Sequence, residues 1–138
     1  MSISARNRFE GTIQTIQKGA VYTEVILLTS HNVPVTAIIT NESAQEMGLK
    51  EGEKATAIVK AGWIMLMSDP NCKISARNKH CGTIEALHQG AINTEVMINS
   101  DGLPITAIIT NDSAKEMELK NGMTICAVFK AGHVLLLK

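Results

Sequence analysis

The segment ISARNRFEGTI, residues 3–13, returns as ISARNKHCGTI at residues 74–84. A chain that spells one pattern twice is expected to fold as two like units. With 138 residues in all, each unit has a size at which one hydrophobic core stabilises a fold only marginally and association is a common remedy. An oligomer is therefore expected.

The match continues to the end of each copy. GAVYTEV at residues 19–25 aligns with GAINTEV at 90–96; one residue is then lost, and Pro34 pairs with Pro104 inside SHNVPVTAIITNESAQEM and SDGLPITAIITNDSAKEM. The copies close with VKAGWIMLM, residues 59–67, and FKAGHVLLL, residues 129–137. The intervening Asp-Pro-Asn is a turn or linker signal. The expected organisation is a first domain at 1–69, a linker at 70–73 and a second domain at 74–138. Two copies are too few for a solenoid, which usually needs at least three.

Within the first copy, alternating or β-branched runs at 11–16, 20–28, 35–40, 54–60 and 63–67 read as strands separated by Gly, Asn or Pro signals. One helix fits over residues 41–47, with Thr40 as N-cap and Gly48 at its end; the second copy keeps Thr110 but has Glu118 in place of the glycine. Five short strands and one helix suggest a mainly β fold, a small OB-type barrel in each copy, in which closure removes exposed sheet edges.

Thirteen basic residues balance thirteen acidic ones, so bulk charge favours neither nucleic acid nor an anionic membrane. The aromatic side chains that stack bases in nucleic-acid-binding barrels are few, and none recurs in both copies. The apolar runs are too short to span a bilayer and no signal-peptide pattern opens the chain, so a cytoplasmic protein is expected. Cys72, Cys81 and Cys126 are odd in number and lack a CxxC spacing. This argues for free thiols rather than a disulfide framework or a zinc site, including one assembled from His80, Cys81 and His88.

The polar residues common to both copies are mostly hydrogen-bond donors. Ser4, Arg6, Asn7, Thr40, Asn41, Ser43 and Lys60 correspond to Ser75, Arg77, Asn78, Thr110, Asn111, Ser113 and Lys130. Hydroxyls, a guanidinium, an ammonium and helix-start amides are groups that hold a small oxyanion, and one Arg with one Lys balances a dianion. Each residue also has a structural reading. Ser4 and Asn7 can be solvated, Thr40 and Ser43 can cap a helix, and Lys60 can decorate a strand. Of the seven methionines, Met47 and Met117 fall on the helix and Met65, Met67 and Met97 in strands, where a flexible apolar side chain fills gaps; no cofactor role follows. No paired carboxylates and no nucleophile with a recognisable base motif are present, so catalysis is not expected.

Taken together, SARN, GxIxxIxxGAVxxEV, TAIITxxSxxxMGLxxG and VKAxWIxLM, in that order and twice over, resemble the Mop or TOBE domain; a tandem pair resembles the molbindin group of that family. The resemblance implies OB-like barrels that bind molybdate or tungstate dianions in pockets between neighbouring domains, with no organic cofactor. Carried onto this sequence, it implies Ser4, Ala5 and Arg6, Thr40 and Ser43, and Lys60 and Ala61 as ligands. The second copy contributes Ser75, Ala76, Arg77, Thr110, Ser113, Lys130 and Ala131. It also implies a homotrimer and a second kind of site, for which loop position nominates Gly19, Ala20, Gly90 and Ala91. The expected role is cytoplasmic molybdate storage and homeostasis, the alternative being a non-catalytic module that delivers molybdenum or its cofactor to a partner. The sequence contains no GxxxxGK[ST] loop of a transporter ATPase.

Overall fold

A computed structural model describes residues 3–138. In the first copy, β1 (Asn7–Lys18), β2 (Tyr22–Thr29) and β3 (Pro34–Thr40) form an antiparallel meander that runs directly into α1 (Asn41–Met47). β4 (Lys54–Val59), a 3-10 turn (Ala61–Trp63) and β5 (Met65–Met67) follow. The second copy repeats the order with β6 (Asn78–Gln89), β7 (Asn93–Ser100), β8 (Leu103–Thr110), α2 (Asn111–Glu116), β9 (Thr124–Phe129), a 3-10 turn (Ala131–His133) and β10 (Leu135–Leu137). The class is mainly β as expected, with two five-stranded sheets and one short helix in each copy. No helix among the described residues is long and apolar enough to cross a membrane.

The sheets are not each built from one copy. Their strand orders are β10-β4-β1-β2-β3 and β5-β9-β6-β7-β8. The last strand of each copy has therefore been exchanged: β10 pairs with β4, Leu136 opposite Ala57, and β5 pairs with β9, Leu66 opposite Ala127. Accordingly the described residues divide into two compact units, residues 3–7 with 60–129 and residues 8–59 with 130–138. In each unit the exchanged strand also meets the far edge of its sheet, β10 meeting β3 and β5 meeting β8, so the sheet curls toward a barrel.

Alternating strand residues fill each interior. Ile13, Val25, Leu27, Val35 and Ala57 are buried in one unit, and Ile84, Val96, Ile98, Ile105 and Ile125 in the other. β1 bends at a bulge between Ile13 and Thr15, and β6 between Ile84 and Ala86. One glycine in each long strand is required by close approach. A Cβ on Gly11 would lie 2.2 Å from the Leu28 carbonyl oxygen, and one on Gly82 would lie 2.0 Å from that of Asn99. The residue lost between the copies is absorbed in a hairpin: Asp101 and Gly102 make a tight turn with φ of 52° and 90°, whereas residues 30–33 form a wider loop.

Three expectations change. Lys60 and Trp63 are not strand residues, because the chain turns through a 3-10 segment between β4 and β5. Asn7 is not solvated; it is 2 % exposed. Cys81 and Cys126 are not free thiols: they oppose each other in the β6–β9 ladder and are joined in a disulfide. A 45-residue separation gives no hint of that register, while Cys72 stays a free, exposed thiol.

Candidate functional site

In the unit containing the second meander, the donor segments converge on β8. The segment 3–6 has no regular secondary structure, and it is held by the residue that follows it. The Asn7 side chain makes a two-way clamp on the β8 backbone, Nδ2 donating to the Thr106 carbonyl at 2.8 Å and Oδ1 accepting from the Thr106 N–H at 2.8 Å. A buried amide satisfied on both its donor and acceptor sides fixes register and orientation as well as contributing energy. Arg6 is thereby held over the neighbouring strand β7, where its Nη1 lies 2.7 Å from a Glu95 carboxylate oxygen.

The 3-10 turn after Lys60 packs against the same β8. Its geometry is set by backbone bonds, the Trp63 N–H donating to the Lys60 carbonyl at 3.0 Å and the Ile64 N–H to that of Ala61 at 3.3 Å. Ala61 is buried and Lys60 exposed, so the methyl anchors the turn while the ammonium projects outward, 5.4 Å from the centre of the Trp63 ring.

Thr110 closes β8 and caps α2, accepting from the Ser113 N–H at 3.1 Å and donating from its hydroxyl to Ser113 Oγ at 2.8 Å. Thr40 does the same for Ser43 in the other unit, at 3.1 and 2.9 Å. One hydroxyl proton is thus committed inside each pair, which leaves the serine proton to be donated outward. The helix-start amides are largely spent. The Asn41 N–H donates to the Val21 carbonyl, and the Asn111 N–H to that of Ile92, each at 2.9 Å. The capping and ligand readings of Thr40 and Thr110 therefore meet in the hydroxyls rather than in a helix dipole.

Thr110 and Ser113 form the polar edge of a cleft of about 620 Å³. Gly62, Met65, Ile108 and Met117 line its apolar part. Exchange thus sets the 3-10 turn that follows Lys60, from the first copy, against β8 of the second, with Gly62 lining the same cleft as Thr110 and Ser113. In the other unit the 3-10 turn after Lys130, with buried Ala131, packs against β3, which ends at Thr40. Lys60 does not share a unit with Thr40 and Ser43, its neighbours in the sequence pattern. Ser4, Ala5 and Arg6 lie in the first of these units, as do Ser75, Ala76 and Arg77.

Gly19, Ala20, Gly90 and Ala91 are exposed at the β1–β2 and β6–β7 turns. Those turns are tied to the helix starts through Asn41 and Asn111. Asn41 Nδ2 donates to the Gly19 carbonyl at 2.9 Å and its Oδ1 accepts from Thr23 Oγ1 at 2.6 Å. Asn111 makes the equivalent bonds to Gly90 and Thr94 at 3.0 and 2.7 Å. These asparagines and Asn7 are structural members of the constellation. Their recurrence in both copies was visible in the sequence, but their clamping role was not.

The charged environment is otherwise mild. Among the described residues no group of three His, Cys, Asp or Glu is placed to hold a metal cation. His80 is the main departure: burial, which disfavours the charged ring, pushes its pKa down to about 4, and its Nε2 has no hydrogen-bond partner among the described residues.

The TOBE domain model matches residues 3–66 and again residues 74–136. The molybdenum-pterin-binding protein MopA of Rhodobacter capsulatus is 40 % identical over 99 % of this chain, and the molybdenum transport protein ModE of Azotobacter vinelandii is 35 % identical over 99 %. The chain spans about half the length of each, 52 % and 51 %. Among solved structures, the cytoplasmic molybdate-binding protein ModG, with molybdate bound, superposes with a TM-score of 0.94 at 40 % identity, covering 99 % of both chains. With its two matched segments and that shared architecture, this chain belongs to the TOBE-domain family, of which it carries two copies in tandem.

Proposed function

We propose that this chain binds molybdate or tungstate reversibly and without catalysis, as a cytoplasmic store that buffers the oxyanion. The observation that carries this reading is the near-complete superposition on molybdate-bound ModG, combined with donor segments gathered on β8. The ligands are Ser4, Ala5, Arg6, Lys60, Ala61, Thr110 and Ser113 in one set. Thr40, Ser43, Lys130 and Ala131 form the corresponding set in the other unit; Ser75, Ala76 and Arg77 are proposed as further ligands, as the sequence equivalents of Ser4, Ala5 and Arg6. Lys60 and Lys130 supply charge, the hydroxyls and alanine amides supply direction, and pocket size disfavours the smaller sulfate. Gly19, Ala20, Gly90 and Ala91 form a second kind of site at the hairpin turns. No organic cofactor is part of the proposal.

The chain acts as a homotrimer in this proposal. Small cores favour association, and the hairpin tips present Val21 and Ile92 at 62 % and 75 % exposure, large apolar side chains suited to burial against another copy. Residues 1–69 and 74–138 are proposed as the duplicated units, with 70–73 as their linker. The names of the pterin-binding relatives raise a second reading, delivery of a molybdenum cofactor. A pterin needs a stacking face, however, and no aromatic residue lines the cleft beside Thr110.

Replacing Arg6 and Arg77 together by Ala tests the residue assignment. Loss of a hydrogen bond to a charged group costs about 1.5–3 kcal/mol, or roughly 10- to 100-fold in affinity at each site. Unchanged molybdate affinity in the double variant, measured by equilibrium dialysis, would remove the arginines from the site.

A further inference from the structure

We infer that Glu95 is a specificity-determining residue of the oxyanion site, acting through Arg6: it neutralises the guanidinium, so that recognition rests on directed hydrogen bonds rather than on net positive charge. This rests on the proposed oxyanion function. Three observations carry it. The ion pair is close, 2.7 Å, and its carboxylate is the more buried partner, with the Glu95 side chain 22 % exposed against 56 % for Arg6. The Asn7 clamp on Thr106 anchors the backbone from which Arg6 reaches Glu95. Glu24 holds on β2, opposite Ile38, the same register position that Glu95 holds on β7, opposite Ile108.

The chemistry follows from counting charge and donors. A guanidinium offers five N–H groups in a planar fork, and Glu95 engages it through one nitrogen, leaving donors to face a ligand. The carboxylate fixes that fork and cancels its long-range attraction for any anion. A dianion arriving at Lys60, Thr110 and Ser113 then meets one uncompensated positive charge, and its affinity depends on how well its oxygens fit the donors. That arrangement favours a tetrahedral ion of the right size over the smaller and more abundant sulfate. An uncompensated pair of cations would attract both alike, in a manner that salt screens.

The test is titration calorimetry of the full chain with molybdate and with sulfate at low and high ionic strength, comparing wild type with Glu95→Gln, Arg6→Gln and the double variant. Gln keeps the shape and an acceptor oxygen but removes the charge. Glu95→Gln is expected to bind molybdate about 3- to 10-fold more tightly at low salt and sulfate more tightly by a larger factor, so that discrimination falls. The gain should fade at high salt and vanish in the Arg6→Gln background. Glu95→Gln affinities and salt slopes equal to wild type would overturn the inference while leaving the oxyanion function standing, as would weaker binding of both anions or a gain that persists without Arg6. A wild-type chain that takes up no molybdate would overturn the function and this inference together. Should Glu95→Gln fail to fold, Glu95→Asp, which keeps the charge but shortens the reach to Arg6, reads the same effect in smaller measure.

Discussion

His80 shows how one residue can be out of keeping with its surroundings and still be accommodated. The first copy has Phe9 at this position, 2 % exposed, and the second has an imidazole that is 8 % exposed beside Phe129, their ring centres 5.5 Å apart. In the unfolded chain the imidazole titrates near its ordinary value of about 6.5; in the folded chain, burial holds it down to about 4. Between those values the unfolded state binds more protons, so stability rises with pH. The contribution is fully present above about pH 6.5 and is lost as pH falls toward 4. His80→Phe should therefore flatten the pH dependence of the thermal midpoint across that window and raise the midpoint at its acid end. A midpoint–pH curve parallel to that of wild type would rule this out. The role of Asn7 was less legible: a buried amide clamp and a solvated asparagine look alike in sequence, because its partner is the backbone of Thr106 in the other copy.

At the scale of elements, the helices were the most legible features, because their signals are local. Thr40 caps α1 and Gly48 ends it with φ of 59°, the left-handed conformation that glycine adopts without steric cost. α2 has the same cap, but Glu118 takes the equivalent conformation at φ of 52° with a side chain present. Such a residue costs roughly 1 kcal/mol relative to glycine, so Glu118→Gly should stabilise the chain by about that amount in urea denaturation, whereas Gly48→Ala should lose as much. The strands were legible as runs of alternation, but the first, expected over 11–16, runs from Asn7 to Lys18. β1 and β6 extend through bulges, where the period-2 pattern slips by one residue. Cys81 and Cys126 were unreadable for a related reason: their pairing is fixed by the β6–β9 register, and nothing in the spacing of three cysteines encodes it.

At the scale of the molecule, duplication makes strand exchange invisible in the sequence. β5 and β10 are near-copies, so hydrophobic patterning suits each equally well to β4 or to β9. The structure pairs each with the other copy, and this decides which donors share a compact unit: Lys60 with Thr110 and Ser113, Lys130 with Thr40 and Ser43. A proline in place of Leu136 should therefore strip hydrogen-exchange protection from β4, residues 54–59, far more than from β9. The opposite pattern would show self-pairing. The most direct measurement is calorimetric titration of the full chain with molybdate in buffer containing excess sulfate, with oligomer mass determined alongside. Saturable, sulfate-resistant binding of at least one anion per chain in a trimer is expected. Absence of binding heat at every molybdate concentration, or heat abolished by sulfate, would contradict the oxyanion-store assignment.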